Sequence, residues 1–297
     1  LSGSPAIQVI PLALTFILRF VTMEHFKTPG AGCLHPSQKN MYEVKLQTAL
    51  RDIPLGGLRY FKEVGSTNDI ALTWAEEDAR DFSLVIANEQ TTGRGRGGRG
   101  WQTPPDSALA LSLLLLPKNR ENQNISLFTG LGALALATAL EENYALKPEI
   151  KWPNDILING KKVAGILVEV SWIGDVAKAI VLGMGVNIHA SAVPPEGELH
   201  FPATSLEEVL GKSVDRVEVL HGFLTALLKW RPLFGREEMV AAWDEKLAFR
   251  GKQVEITGGD GQVIHGRVLG LNQDGSLRLD TAESILFGDV HLRPTQL

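Results

Sequence analysis

Residues 90–101 read Gln-Thr-Thr-Gly-Arg-Gly-Arg-Gly-Gly-Arg-Gly-Trp, three arginines and five glycines between an apolar run and one tryptophan. This stretch carries too little apolar surface to build a core, and ordering glycine backbone costs more entropy than ordering that of any other residue. Something bound must offset that cost. Guanidinium groups are forked, permanently charged donors suited to phosphate and carboxylate oxygens. Glycines let backbone N–H groups approach the same ligand. The stretch is therefore expected to be a loop that clamps an anionic small molecule and becomes ordered around it. Two plainer readings stand beside this one: a disordered Gly/Arg segment that binds RNA, and a solvated surface loop. Against the first, the segment occurs once and comes just after Leu84-Val85-Ile86-Ala87.

The bulk of the chain is that of a globular protein. Its 297 residues, 44% hydrophobic and 21% charged, suffice for a sizeable core and more than one domain. A net charge of −5 argues against a protein whose main task is coating nucleic acid. The single cysteine, Cys33, excludes an internal disulfide and a cysteine-rich metal site. The histidines are scattered, with no pair at metal-ligand spacing.

Residues 1–40 differ in texture from the rest and are expected to be a poorly ordered or non-native leader, with Met41 as the natural start. The apolar run from Ala6 to Val21 is broken by Gln8, Pro11 and Arg19, so it falls short of the roughly 20 apolar residues a spanning helix needs. No membrane association is expected, and the location expected is cytoplasmic. From Leu58 a regular alternation begins. Strands are expected over Arg59–Val64, Ser83–Asn88, Ala108–Leu116, Ile156–Ile158, Val163–Val170 and Ala179–Ile188, and helices from Ser66 or Thr67 to Glu77, over Ser126–Glu142, from Asp215 to Trp230 and over Arg236–Leu247. Asn159-Gly160 signals a hairpin turn. After about Ala248, short strands and Gly-rich turns point to a small barrel or sandwich. The expected division is a leader (1–40), a catalytic domain (41–247) and a C-terminal β domain (248–297).

Several polar groups stand out. Ser66-Thr67-Asn68 can cap the first helix or hold a polar ligand group at its N-terminus. Lys151-Trp152-Pro153-Asn154-Asp155 is too rigid and polar for a simple turn. Of Lys161 and Lys162, strand alternation turns one inward, unless both are solvated. Gly183 and Gly185 inside a strand suggest close approach of backbone or ligand, and a buried Asn187 needs a partner. Leu210-Gly211-Lys212-Ser213 lacks the first glycine of a P-loop, and Gly183-Met184-Gly185 lacks the third glycine of a dinucleotide fingerprint.

Taken in order, Ser66-Thr67-Asn68, Gln90…Gly93-Arg94-Gly95-Arg96…Arg99-Gly100-Trp101, Lys151-Trp152-Pro153-Asn154-Asp155, Lys162-Val163-Ala164-Gly165-Ile166-Leu167-Val168-Glu169 and Gly183-Met184-Gly185-Val186-Asn187-Ile188 resemble the biotin–protein ligase family. The likeness runs from about Leu58 to the C-terminus. It implies a mixed α/β catalytic domain related to class II aminoacyl-tRNA synthetases, followed by an SH3-like β domain. It implies a ligase that activates biotin with ATP and Mg²⁺ as biotinyl-5′-AMP, then transfers it to a lysine of the biotin carboxyl carrier protein.

Joining two anions, a carboxylate and an α-phosphate, needs fixed positive charge and oriented donors. By the same resemblance Arg94, Arg96 and Lys162 supply that charge as catalytic groups, with Lys162 bridging carboxylate and phosphate. Ser66, Thr67, Asn68, Gln90 and Gly95 join them around biotin. Arg99, Trp101, Asn154, Asp155 and Asn187 attend ATP, with Mg²⁺ near Asp155. The leader shows no helix-turn-helix pattern, so a ligase without repressor activity and without a nucleic-acid partner is expected. Gly97 and Gly100 stand where some relatives have basic residues, which thins the charge on the loop. A homodimer through the catalytic-domain sheet is compatible with the resemblance. The rivals are a lipoate–protein ligase or octanoyltransferase on a related fold, and a nucleic-acid-binding module using the Gly/Arg loop.

Overall fold

The computed structural model of the chain describes residues 41–77, 79–118, 121–195, 197, 201–257, 263–281, 284–285 and 293–294. The expected leader, with the repressor question attached to it, and the glycine turn at 258–261 lie outside them. In chain order the elements are α1 (Met41–Ala49), β1 (Gly57–Phe61), α2 (Thr67–Glu76), β2 (Ser83–Ala87), β3 (Ala108–Leu115), α3 (Leu127–Tyr144), β4 (Glu149–Lys151), β5 (Asp155–Ile158), β6 (Lys161–Ile173), β7 (Val176–Asn187), α4 (Leu206–Leu210), α5 (Arg216–Trp230), α6 (Glu237–Glu245), β8 (Gln253–Thr257), β9 (Val263–Leu271), β10 (Leu277–Leu279), β11 (Ser284–Ile285) and β12 (Arg293–Pro294).

Seven strands form a mixed sheet in the order β1-β2-β3-β7-β6-β5-β4. Strands β1 and β2 pair parallel, and the remaining neighbours pair antiparallel. Successive side chains on a strand point to opposite faces, and here the two faces have different work. On one, Leu109, Leu111, Leu113 and Leu115 of β3 and Ile180, Leu182 and Val186 of β7 meet Leu131 and Leu134 of α3 and Phe223 and Leu227 of α5. Each fully buried leucine there contributes about 1.5–3 kcal/mol, so this face holds the sheet to its helices. The other face is thinner. Helix α2 covers part of it, with Ala71 against Val85 and Val181 and Ala75 against Leu114 and Ala179. The remainder, around Ser112, Gly165, Gly183 and Gly185, lies under polar side chains and Trp101.

The second sheet, β11-β10-β9-β8-β12, is antiparallel. Its apolar residues Val254, Ile256, Val268, Leu277 and Leu279 join the same core as the helices. The expected mixed α/β architecture with a small β unit behind it is what the chain forms. Among the described residues, no helix is long and apolar enough to cross a membrane.

Local chemistry explains most boundaries. Asp215 accepts the Val217 N–H and starts α5 as expected. Asn159 and Gly160 take φ of 52° and 74°, the doubly left-handed turn that the dipeptide favours between β5 and β6. The P-loop fragment is instead a helix stop, with Gly211 left-handed after α4. Other boundaries shift. The first strand spans Gly57–Phe61, not Arg59–Val64; Val64 makes an isolated bridge to Gln90. Helices α1 and α4 and the three-residue β4 were not anticipated; α4 and β4 are too short for a periodic pattern to declare itself, and α1 buries only Leu46.

Candidate active site

A chain of polar groups begins where α2 enters the thin face. Ser66 holds the N-cap position, but its hydroxyl makes no capping bond. Thr67 and Asn68 are buried and turn inward. Gln90 Oε1 accepts from the Thr67 N–H at 2.8 Å and from its hydroxyl at 3.0 Å, while Gln90 Nε2 donates to Thr103 at 3.3 Å. The Ser112 hydroxyl sits between Thr67 Oγ1, at 2.7 Å, and Asn68 Oδ1. Asn68 Nδ2 donates to Glu169 Oε2 at 2.6 Å. Of the two readings of Ser-Thr-Asn, the helix cap alone does not describe this network. Gly183 is what admits it: a Cβ there would lie 2.2 Å from Asn68 Oδ1.

The Gly/Arg stretch folds as a small hairpin across the same face. Arg94 bridges Gly100, the Gly95 N–H donates to Arg99 O at 2.7 Å, and the Trp101 N–H donates to Gly93 O at 2.9 Å. A turn at Arg96–Gly98 closes it, with Gly97 and Gly98 at φ of 65° and 74°. Trp101 lies flat on the sheet: a Cβ on Gly185 would fall 2.2 Å from its ring, and one on Gly165 3.4 Å. Its indole N–H is buried without a partner.

Beyond Trp101 the site becomes cationic. Lys162 Nζ is 2.7 Å from Asp155 Oδ1 and 5.4 Å from the Trp101 ring centroid. A β-bulge places it there. Asp155 pairs with Gly165 and Ile156 with Ala164, but Leu157 pairs with Lys162, so one residue is inserted and Lys162 shares the face of Gly165. Lys161 is exposed. The 202–204 segment pins the strand, with the Lys162 N–H donating to Pro202 O and the Thr204 N–H to Lys162 O.

Lys151, at the end of β4, reaches the other oxygen of Asp155 at 3.5 Å and lies 4.9 Å from the Phe201 ring. Arg96 donates to Asn154 Oδ1 at 3.4 Å, and Arg99 Nε donates to Arg96 O at 3.0 Å. Asn154 is itself clamped to β6, its side chain donating to Ile166 O and its carbonyl accepting from the Ile166 N–H. Burial pushes the Asp155 carboxyl up, but Lys162, Lys151 and Arg99 outweigh it and hold it below the usual range. Burial pulls Lys151 below the ordinary lysine value, Lys162 and Arg99 add to that, and Asp155 opposes it.

Most of the expected residues thus meet on one face, in two groups: Thr67, Asn68 and Gln90 in a polar slot, and Arg96, Arg99, Lys162, Asn154 and Asp155 in a basic pocket, with Trp101 between. Ser66 is buried beside the slot. Two residues stand differently. Arg94 turns away from the basic pocket and is paired with Asp69 at 2.6 Å and Glu169 at 3.0 Å. Asn187 is buried and donates to Thr204 O at 3.1 Å, which holds the returning segment to β7. Lys151, Ser112 and Glu169 belong to the site and were not singled out from the sequence. Lys151 and Glu169 stood inside quoted motifs; Ser112, alone among leucines and alanines on β3, was the polar outlier that could have betrayed it.

A polar cluster beside clustered cations, beneath a Gly/Arg hairpin, suits a small acid and a polyphosphate side by side, as a carboxylate-activating ligase requires. Residues 60–187 match the Biotin/lipoate A/B protein ligase family, and residues 249–293 match the Biotin protein ligase C terminal domain. The Bifunctional ligase/repressor BirA of Bacillus subtilis (strain 168) is 33% identical over 231 residues, 77% of this chain and 70% of that protein. The Biotin--[acetyl-CoA-carboxylase] ligase of Paracoccus denitrificans is 35% identical over 222 residues, 72% of this chain and 90% of that protein. The structure of the biotin protein ligase from Aquifex aeolicus in complex with biotin and ATP superimposes with a TM-score of 0.70 and 30% identity, covering 80% of this chain and 99% of that one. The chain belongs to the biotin–protein ligase family.

Proposed function

We propose that this chain joins biotin to a biotin carboxyl carrier protein in two steps. A biotin carboxylate oxygen attacks the α-phosphorus of ATP, pyrophosphate leaves, and biotinyl-5′-AMP forms. A carrier lysine amine then attacks the acyl carbon, AMP leaves, and an amide results. The observation that carries this reading is the convergence of Lys162, Lys151, Arg96 and Arg99 on the Asn154–Asp155 end of the slot.

In this reading Ser66, Thr67, Asn68 and Gln90 hold the uncharged end of biotin in the slot, and Gly95 closes the hairpin above it. The carboxylate lies toward Lys162, whose ammonium is 5.4 Å from the Trp101 ring centroid. That ammonium offsets the repulsion between carboxylate and α-phosphate, and it acts in a half-buried site where charge is weakly screened. Arg96, Arg99 and Lys151 take the departing pyrophosphate. Trp101 covers the anhydride and excludes water from it. Asp155 holds two lysines in place, Asn154 orients Arg96, and Asn187 acts at one remove by fixing the 202–204 segment. Among the described residues no three acidic, histidine or cysteine side chains converge into a metal cage, and Asp155 is occupied by lysines. With Asp155 engaged by two lysines, Mg²⁺ would enter on the ATP phosphates, whose charge it would offset, and no step is routed through it. The reading includes a catalytic unit over 41–247, a β domain from about 248, and a cytoplasmic location.

The test is biotin-dependent ATP–pyrophosphate exchange, with Lys162→Ala and Arg96→Ala beside the unaltered chain. Exchange that requires biotin, ignores lipoate and collapses in both variants, followed by transfer to carrier protein, supports the reading. A well-folded chain without exchange refutes it, and exchange driven by lipoate points to the lipoate branch of the family.

A further inference from the structure

Arg94 spends its charge inside the protein. Its Nη1 and Nη2 donate to Asp69 at 2.9 and 2.6 Å, and its Nη2 and Nε donate to Glu169 at 3.0 and 3.3 Å. All three guanidinium nitrogens are engaged, and two carboxylates face one cation. Turning this side chain toward a phosphate would leave the part-buried Glu169 and the exposed Asp69 as neighbouring like charges without their shared counter-ion.

The position of Arg94 gives the pairing a consequence. Asp69 is on the first turn of α2, Glu169 on β6, and Arg94 in the first arm of the hairpin. The backbone of Arg94 bridges Gly100, and the flanking Gly93 carbonyl accepts from Trp101. Fixing Arg94 therefore fixes both arms, and with them Trp101 on Gly185 and Arg96 and Arg99 beside Asn154. Five glycines give the hairpin little stiffness of its own. Glu169 also accepts from Asn68 at 2.6 Å, so one carboxylate ties the hairpin to the polar slot. We propose that Asp69 and Glu169 are positioning residues for the reaction: by gripping Arg94 they latch the Gly/Arg hairpin closed over the slot and the basic pocket. This inference rests on the ligase reading for its consequence in catalysis, though not for its geometry.

The test has a readout independent of activity. Trypsin cuts after the arginines of the hairpin only when it opens. The full chain is digested under native conditions without ligands, and cleavage after Arg96 and Arg99 is followed by mass spectrometry. Asp69→Asn and Glu169→Gln each remove one charged acceptor, and hairpin cleavage is expected to quicken by roughly tenfold while cleavage elsewhere keeps its rate. Arg94→Lys keeps the charge but loses the fork, and is expected to fall between. Cleavage throughout the chain would mark unfolding of a variant, and the decision then passes to Arg94→Lys. Hairpin cleavage at the unaltered rate in the folded variants overturns the latch. The same variants, given biotin and ATP, should release biotinyl-5′-AMP into solution faster than the unaltered chain. If the unaltered chain makes no adenylate at all, the ligase reading fails, and the latch stands or falls on cleavage alone.

Discussion

Lys161 and Lys162 are adjacent, identical in type and opposite in environment. Counting alternation back from Gly165 would put Lys161 on the site face; the bulge opposite Leu157 puts Lys162 there instead. Lys162→Ala should therefore reduce biotin-dependent exchange by about 10²–10³-fold, the range seen when one preorganised donor to a developing charge is lost. Lys161→Ala should leave exchange within about twofold of the unaltered chain; equal losses in the two would refute the assignment. Asp155 supports a second prediction. Burial favours the neutral amine of Lys151, and Asp155 opposes that by stabilising the ammonium. In Asp155→Asn this opposition is gone, so Lys151 sheds its proton at a lower pH. The pocket then loses positive charge earlier on the alkaline side, and the alkaline limb of the exchange–pH profile should move to lower pH. A limb that stays where it was would show that Lys151 does not contribute its charge to adenylation.

At the level of elements, the site depends on how closely side chains can approach the sheet. Gly183 and Gly185 announce such an approach in the sequence, because an apolar strand gains nothing else from two glycines. Which groups use the space could not be read there: Asn68 and Trp101 lie 115 and 84 residues before the glycines they cover. Gly185→Ala is the direct test. Strand β7 is paired on both sides at this position, so the strand keeps its register and Trp101 must lift. The melting temperature should stay within about 4 °C, whereas adenylation should fall by about tenfold or more as the cover over the anhydride is lost. Unchanged activity would mean that Trp101 is not the cover. Where a local signal was strong, legibility followed locality. The Asn159-Gly160 turn, the Asp215 cap and the long helix α3 are set by residues within one or two turns, and all were readable. The bulge at Lys162, the grip of Asp69 and Glu169 on Arg94, and the bond from Asn187 to Thr204 join residues that only the folded sheet brings together.

At the scale of the whole molecule, the small β unit and the catalytic sheet meet behind the basic pocket. Trp152 is buried, and its indole N–H donates to Gly275 O at 2.8 Å; the same turn presses on Leu127 of α3 and Trp243 of α6. Leu271 of β9 donates its N–H to Asp244 of α6 at 2.7 Å, a second tie across the same boundary. Trp152 is two residues from Asn154, which orients Arg96, and three from Asp155, which holds Lys151 and Lys162. The rigidity of the Lys151–Asp155 run, visible in the sequence but without a purpose there, now has one: it carries the contact with the β unit to the groups that face the polyphosphate. Trp152→Phe keeps one aromatic ring in place and removes the N–H together with part of the buried ring system, so a packing loss adds to the lost hydrogen bond. Leaving the buried Gly275 carbonyl unpaired should cost about 1–3 kcal/mol, which for a chain of this size is a fall of about 2–4 °C in melting temperature per kcal/mol. If the β unit does brace the pocket, KM for ATP should rise several-fold, about 1 kcal/mol of lost ground-state binding, while KM for biotin changes less, because the polar slot lies on the far side of Trp101. A lower melting temperature with KM for ATP unchanged would separate the two roles, leaving the β unit as a stabiliser of the fold with no hand in nucleotide binding.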